Sequence, residues 1–107
     1  MEEFAYIVLF ITIATTEEAQ RISRILLKQK KITCVNIVPR VSSFFWWQDK
    51  INSAQASLLI AKTKASQLTE LVRMVKGLHS YDAPEIIAIP IVGGNQDYLD
   101  WISNEVK

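Results

Sequence analysis

Few side chains in this chain could hold a transition metal. The single cysteine, Cys34, and the single histidine, His79, are its only soft or borderline ligands, and they suit copper or zinc. Asp82 and Glu85 are the acidic residues nearest to His79 in sequence. Because Cys34 and His79 supply only half of a tetrahedral set of donors, we expect any binding of copper or zinc to be weak and exchangeable.

Both residues also have a purely structural interpretation. Cys34 falls in a strand-like segment, and free cysteine is among the residue types most often buried. It has no partner at a metal-ligand spacing, which favours this interpretation over a metal site. His79 follows a predicted helix, where a histidine can be held by hydrogen bonds within a loop.

Two charged residues interrupt segments that otherwise resemble buried strands. Lys62 follows the apolar residues 58–61, and Glu85 precedes the apolar residues 86–89. A charge inside an apolar sheet is costly unless it is paired. Lys62 and Glu85 therefore either lie where the strands reach solvent or line a polar pocket at a subunit junction.

An aromatic run, Phe44, Phe45, Trp46 and Trp47, stands beside a predicted turn at residues 48–50. Successive strand residues point to opposite faces, so only half of this run can enter one core. Aromatic residues are enriched at protein interfaces. No run of lysine and arginine exceeds two residues, so we expect contact with another subunit rather than stacking on nucleic-acid bases.

Common catalytic patterns are missing from the sequence. It contains no GxGxxG, no phosphate-binding loop of the P-loop type and no CxxC. No third group that would orient a Cys–His pair can be identified. Residues 14–17 lack the arginine and glycine with which acylphosphatases bind phosphate after the first strand. We therefore expect a protein that is not an enzyme.

Length and composition indicate one domain over residues 1–107. Half of the residues are hydrophobic and the net charge is +1, so a packed core is expected and nucleic-acid binding is not. The opening MEEF is acidic where a secretory signal would be basic. The apolar run at residues 4–14 is too short to span a bilayer, so we expect a cytoplasmic protein without a membrane partner.

Hydrophobic periodicity predicts a β-α-β-β-α-β order with an added C-terminal helix. We expect strands at residues 4–13, 33–47 with a bend near Pro39, 51–63 and 84–91. Thr15 and Glu18 fit a capping box that starts the first helix, and Ser66 and Gly77 fit the start and end of the second. Asn95 should cap the third helix, with four residues facing inward: Tyr98, Trp101, Ile102 and Val106.

This order predicts an α+β fold of the ferredoxin-like split β-α-β type, with both main helices on one face of an antiparallel sheet. The other face should be polar in a monomer, but the first strand carries apolar residues on both faces: Tyr6, Val8 and Phe10 on one, Ile7, Leu9 and Ile11 on the other. Something must cover the second face, and another copy of the chain is the simplest cover.

Five segments in one order resemble the CutA family of divalent-cation tolerance proteins over residues 4–106. They are CVNIVP from Cys34, FFWWQDKI from Phe44, LLIAKT from Leu58, HSYDAPEIIAIPI from His79 and NQDYLDWI from Asn95. The resemblance implies a compact homotrimer and a role in tolerance of metal ions. Where the family usually has Pro-Tyr-Glu after the histidine, this chain has Ser80, Tyr81 and Asp82, which weakens the transfer of a metal site.

The resemblance also implies a cleft between subunits. We expect Lys62, Trp47, His79, Tyr81 and Glu85 to line it. An alternative function is that of a small-ligand sensor, which would bind a metabolite or nucleotide in such clefts as PII-like trimers of similar fold do.

Overall fold

The computed structural model describes residues 4–107, so most of the acidic MEEF segment lies outside the described residues. The predicted order of elements is confirmed. The strands are β1 (Tyr6–Ile13), β2 (Cys34–Trp47), β3 (Lys50–Lys64) and β4 (Ile86–Pro90). The helices are α1 (Thr16–Lys28), α2 (Leu68–Leu78) and α3 (Gln96–Glu105), with a short 3-10 helix at Ala65–Gln67.

The four strands form one antiparallel sheet in the order β2-β3-β1-β4, as the split β-α-β arrangement requires. Alternate residues of β1, Ile7, Leu9, Ile11 and Ile13, are fully buried. They belong to one core with apolar residues of both main helices: Ala19, Ile22 and Leu26 of α1, and Leu71 and Val75 of α2. The helices thus cover one face of the sheet.

The opposite face carries no main helix, and we call it the open face. It holds the alternate residues of the four strands, since neighbours across a ladder share a face. Its members are Val8, Phe10 and Thr12 of β1, Leu58, Ile60 and Lys62 of β3, Cys34, Asn36 and Val38 of β2, and Ile87 and Ile89 of β4. The expectation of a sheet that is apolar on both faces is confirmed.

Of the predicted helix starts and ends, some are confirmed and others lie elsewhere. The Thr15 hydroxyl accepts a hydrogen bond from the Glu18 backbone N–H at 3.1 Å, as a capping box predicts. Ser66 was expected to cap α2 but lies in the 3-10 helix, and Gln67 precedes α2 without a side-chain cap. Gly77 lies inside α2, which continues because Leu78 packs on the core.

Strands β2 and β3 extend beyond the rest of the sheet. The ladder between β1 and β3 ends at Ser57, whereas β2 and β3 remain paired as far as Trp47 and Lys50. We call residues 41–56 the arm. A bulge between Val38 and Val41 confirms the predicted bend near Pro39. The turn at the tip contains Gln48 and Asp49, both with positive φ, and Lys50 already belongs to β3.

Helix α3 packs on one end of the open face. Asn95 caps it as predicted, since its side chain accepts a hydrogen bond from the Asp97 N–H at 3.0 Å. Its buried residues are Leu99, Ile102 and, just after the helix, Val106, which pack against Tyr6 and Ile91. The expected inward positions of Tyr98 and Trp101 are wrong, because both are exposed while Leu99 takes the inward place. None of the described helices is long and apolar enough to cross a membrane.

Candidate functional site

Polar residues on the open face cluster where β2 begins. Lys62 Nζ donates to Asn36 Oδ1 at 2.6 Å, and Cys34 lies directly opposite Lys62 in the ladder. Tyr98 of α3 reaches the same place, where partial shielding of its hydroxyl from water, together with the proximity of Cys34, raises its pKa above the usual value for a phenol. The ammonium of Lys62, which interrupts an apolar strand, thus has its partner within the same chain. That partner is an amide oxygen rather than a carboxylate.

A second polar cluster lies at the far end of β1, in the segment that joins α2 to β4. His79 is buried, and its Nε2 lies 2.7 Å from the Thr12 carbonyl oxygen. The Tyr81 backbone N–H donates to His79 Nδ1 at 3.0 Å. These contacts match the structural interpretation of His79, a histidine held by hydrogen bonds in the loop after the second helix.

Glu18 of α1 completes this second cluster. Its carboxylate accepts hydrogen bonds from both the backbone N–H and the hydroxyl of Ser80, each at 2.9 Å. One carboxylate oxygen lies 3.8 Å from His79 Nδ1. The second half of the predicted capping box, in which Glu18 reaches back to Thr15, is therefore replaced by a contact with the loop.

Tyr81 and Glu85 lie beside His79 and are exposed. The Tyr81 ring is tilted against the His79 ring, with centroids 4.7 Å apart. Glu85 accepts a hydrogen bond from the Thr12 hydroxyl at 3.1 Å. Glu85 is thus held at the edge of the open face, and Tyr81 is exposed beside His79 at the same end of β1.

The five residues expected in a cleft do not form one cluster in a single chain. His79, Tyr81 and Glu85 come together at Thr12, whereas Lys62 pairs with Val8, four residues along β1 and so about 13 Å away. Trp47 lies near the tip of the arm. The structure gathers three of the five residues and leaves the other two apart.

The expected metal ligands are separated in the same way. Cys34 lies opposite Lys62, at the Val8 end of the sheet, whereas His79 lies at Thr12. Within residues 4–107 no three side chains of histidine, cysteine, aspartate or glutamate are grouped as a metal site would need. A site that used both Cys34 and His79 would therefore need donors from different subunits.

Three residues of these clusters are not predicted as site residues by the sequence. Its patterns place Glu18 in a capping box, mark Ser80 only as a departure from the family pattern, and place Tyr98 in the core. The tertiary contacts of Glu18 and Tyr98 join residues more than 60 positions apart in sequence. A local pattern carries no signal for contacts of that kind.

Fold and site together define a class of protein, namely small α+β domains of the split β-α-β type with polar clusters at two ends of a sheet that carries its main helices on one face only. The sequence pattern of one family within that class, described as the CutA1 divalent ion tolerance protein, matches residues 7–105. The chain belongs to this family.

Relatives from plants and archaea agree with this assignment. A divalent-cation tolerance protein CutA from Archaeoglobus fulgidus is 44% identical over 92% of this chain and 96% of its own length. A chloroplastic CutA from Oryza sativa is 42% identical over 94% of this chain. The present chain spans only 57% of that rice protein and 56% of a chloroplastic relative from Arabidopsis thaliana, little more than half of each.

Solved structures show the same fold. The crystal structure of CutA1 from Oryza sativa superposes with a TM-score of 0.95 at 40% identity, covering 97% of this chain and 95% of that one. A CutA structure from Archaeoglobus fulgidus, described as periplasmic, gives a TM-score of 0.93 at 43% identity, covering 95% and 99% of the two chains. The α+β fold expected from the sequence is thus confirmed.

Proposed function

We propose that this chain, as one domain over residues 1–107, forms a non-enzymatic homotrimer that acts in tolerance of divalent metal cations. The observation that carries the proposal is the apolar open face. Membership of a family described by divalent ion tolerance supports the cellular role. The same membership does not favour the alternative of a small-ligand sensor.

The open face leaves apolar surface in water when the chain is alone. Val38, Ile87 and Ile89 are 42%, 49% and 47% exposed, although they lie in regular strands. The arm continues this surface with the exposed aromatic rings of Phe45 and Trp47. Contiguous apolar surface of this kind is typical of an interface, and a closed assembly of identical chains covers it without any further partner.

Assembly also explains the two separated polar clusters. In a closed ring, the Lys62 end of one open face can meet the end of a neighbouring chain that carries Tyr81 and Glu85, with Trp47 on the arm bridging the junction. Lys62, Trp47, Tyr81 and Glu85 are then the residues proposed to line the cleft between subunits, with the buried His79 directly behind Tyr81. The pairing of an ammonium with a carboxylate across such a junction favours correct register.

Sedimentation equilibrium tests the assembly directly. At micromolar concentration the species in solution should have three times the chain mass of 12.2 kDa. A monodisperse monomer would refute the trimer, and with it the proposed cleft.

Metal binding is the second part of the proposal. Cys34 is partly exposed at the start of β2, so its sulfur can act as a soft ligand for copper or zinc if a neighbouring chain supplies further donors. Binding should be weak, and it should tighten as pH rises because a thiol must lose its proton to bind metal.

Calorimetry with zinc alone separates this idea from the assembly. Wild type should bind weakly, and Cys34→Ser should lose the heat of binding while remaining a trimer. Equal binding by both proteins would exclude Cys34 as the ligand. A cytoplasmic location stays part of the proposal, although relatives are described as chloroplastic in rice and periplasmic in Archaeoglobus fulgidus.

A further inference from the structure

The loop that links α2 to β4 is held by groups from two other elements, β1 and α1, and by one hydrogen bond of its own. The Thr12 carbonyl of β1 contacts His79 Nε2 at 2.7 Å. The Glu18 carboxylate of α1 takes both donors of Ser80 at 2.9 Å. His79 itself accepts the Tyr81 N–H at 3.0 Å. The loop is therefore anchored at its first three residues, immediately before the part that carries Glu85.

The hydrogen bonds of His79 determine its tautomer. A backbone N–H can only donate, so Nδ1, which faces the Tyr81 N–H, must carry a lone pair and no proton. A backbone carbonyl can only accept, so Nε2, which faces the Thr12 oxygen, must carry the proton. The ring is thus neutral, with its proton on Nε2.

Both nitrogens of His79 are consequently in use. A metal binds a histidine through a nitrogen lone pair, and the only lone pair in the ring is on Nδ1, which already accepts from Tyr81. The His79 side chain is completely buried, with Glu18 packed beside Nδ1. A metal ion could reach Nδ1 only if the Tyr81 N–H moved away and the loop opened.

We propose that His79 is not a metal ligand in the folded protein but a positioning residue, which with Glu18 holds the loop so that Tyr81 and Glu85 stand exposed at the Thr12 end of β1. The anchoring role rests on contacts within one chain and is independent of assembly. The use of Tyr81 and Glu85 by a neighbouring subunit rests on the proposed function.

The ring tautomer gives a readout that a general loss of stability would not change. In protein labelled with ¹⁵N, the His79 ring should show a protonated Nε2 and an unprotonated Nδ1 at neutral pH. Addition of zinc alone to the assembled protein should leave both ring signals and the Tyr81 amide signal in place. A shift of the Nδ1 signal that tracks zinc occupancy would overturn the proposal.

Two substitutions test the contacts of the two ring nitrogens of His79 separately. In His79→Gln the longer amide can reach the Thr12 carbonyl but offers no acceptor at the Nδ1 position. In His79→Asn the shorter amide can accept from Tyr81 but cannot reach Thr12. Amide exchange at Tyr81 should rise about three- to tenfold in His79→Gln, the range expected for one hydrogen bond of ordinary strength, and less in His79→Asn.

The core provides the control for this experiment. Amides of the central strands, such as those of Leu9 and Leu59, should keep their wild-type exchange in both variants if the effect is local. Unchanged exchange at Tyr81 in both variants would refute the anchoring role. Sedimentation of the same samples reports the trimer separately, so a failure of assembly is not mistaken for a failure of the loop.

Discussion

Replacement of Trp47 by alanine should weaken assembly without unfolding the chain. In a single chain Trp47 is 62% exposed, so it contributes little to the core beneath α1 and α2. It lies on the arm, on the side that continues the open face. Its removal should therefore weaken the contact with a second copy of the chain that covers this surface.

The exposed area of Trp47 sets the size of the effect. A tryptophan has about 250 Å² available for burial, so about 150 Å² of Trp47 is left uncovered in one chain. At about 25 cal/mol per Å², complete coverage of this area would stabilise each junction by about 4 kcal/mol. Coverage at an interface is incomplete, so we expect a loss of about 2 kcal/mol per junction.

A trimer multiplies this loss. Three junctions at about 2 kcal/mol each raise the trimer dissociation constant by about 10⁴, and the midpoint concentration, which varies as its square root, by about 100-fold. Sedimentation equilibrium from about 10 nM to 100 μM would measure this shift, and circular dichroism would show whether the chain remains folded.

Trp101 offers a matched control. It is also a tryptophan with a large exposed fraction, 41%, but it lies on α3 and not on the arm. Trp101→Ala should shift the midpoint much less than Trp47→Ala. If folded Trp47→Ala assembles at the wild-type midpoint, Trp47 is not part of the interface. If Trp47→Ala and Trp101→Ala weaken assembly equally, the loss of assembly is not specific to the arm.

Three further outcomes follow from local geometry. Asp49→Gly should raise the free energy of unfolding by up to about 1 kcal/mol, because Asp49 has a φ of 62° that glycine adopts without a steric penalty; a lower urea midpoint would contradict this. Thr15→Ala should lower the free energy of unfolding by about 1 kcal/mol, because the α1 cap is lost, whereas Thr15→Ser should lower it much less. Partial shielding from water and the proximity of Cys34 raise the pKa of Tyr98, so the folded state holds the phenol proton more tightly than the unfolded state. This contribution to stability is complete below about pH 10 and is lost as pH rises through the folded pKa. Wild type should then lose more stability than Tyr98→Phe as pH rises above about 10, and parallel losses in urea titrations would contradict the assignment.

Elements and caps could be predicted because each depends on neighbours in sequence. The apolar alternation of β1 indicates a strand with two apolar faces, and the Thr15 and Asn95 side chains cap their helices through bonds to residues only two or three positions away. The bend near Pro39 follows from the missing backbone donor of proline. Each of these features is decided before the chain folds back on itself.

The inward face of α3 and the partners of His79 could not be predicted in this way. The apolar residues of α3 allow two overlapping stripes, one through Tyr98 and one through Leu99, and only the position of the sheet decides between them. The His79 ring bonds to Thr12, which lies 67 positions away. The sequence identifies His79 as a candidate ligand or loop residue, but which of these it is depends on the backbone groups that lie beside its ring.

The bulge between Val38 and Val41 decides which aromatic rings continue the open face. Before the bulge, the even-numbered residues of β2 share a face with the even-numbered residues of β3. After the bulge, the odd-numbered residues of β2 share a face with those same even-numbered residues of β3. Phe45 and Trp47 therefore continue the open face, while Phe44 and Trp46 point to the other side of the arm. Deletion of Arg40 alone would restore a straight ladder but leave both pairs where they are, because Phe45 and Trp47 would still lie opposite Asn52 and Lys50. An exchange of the two pairs would require the arm to shift its register by one residue at the turn. The extra residue at the bulge thus lets the register of the turn and the register of the core ladder coexist, and this combination sets the ring pair that a neighbouring chain meets.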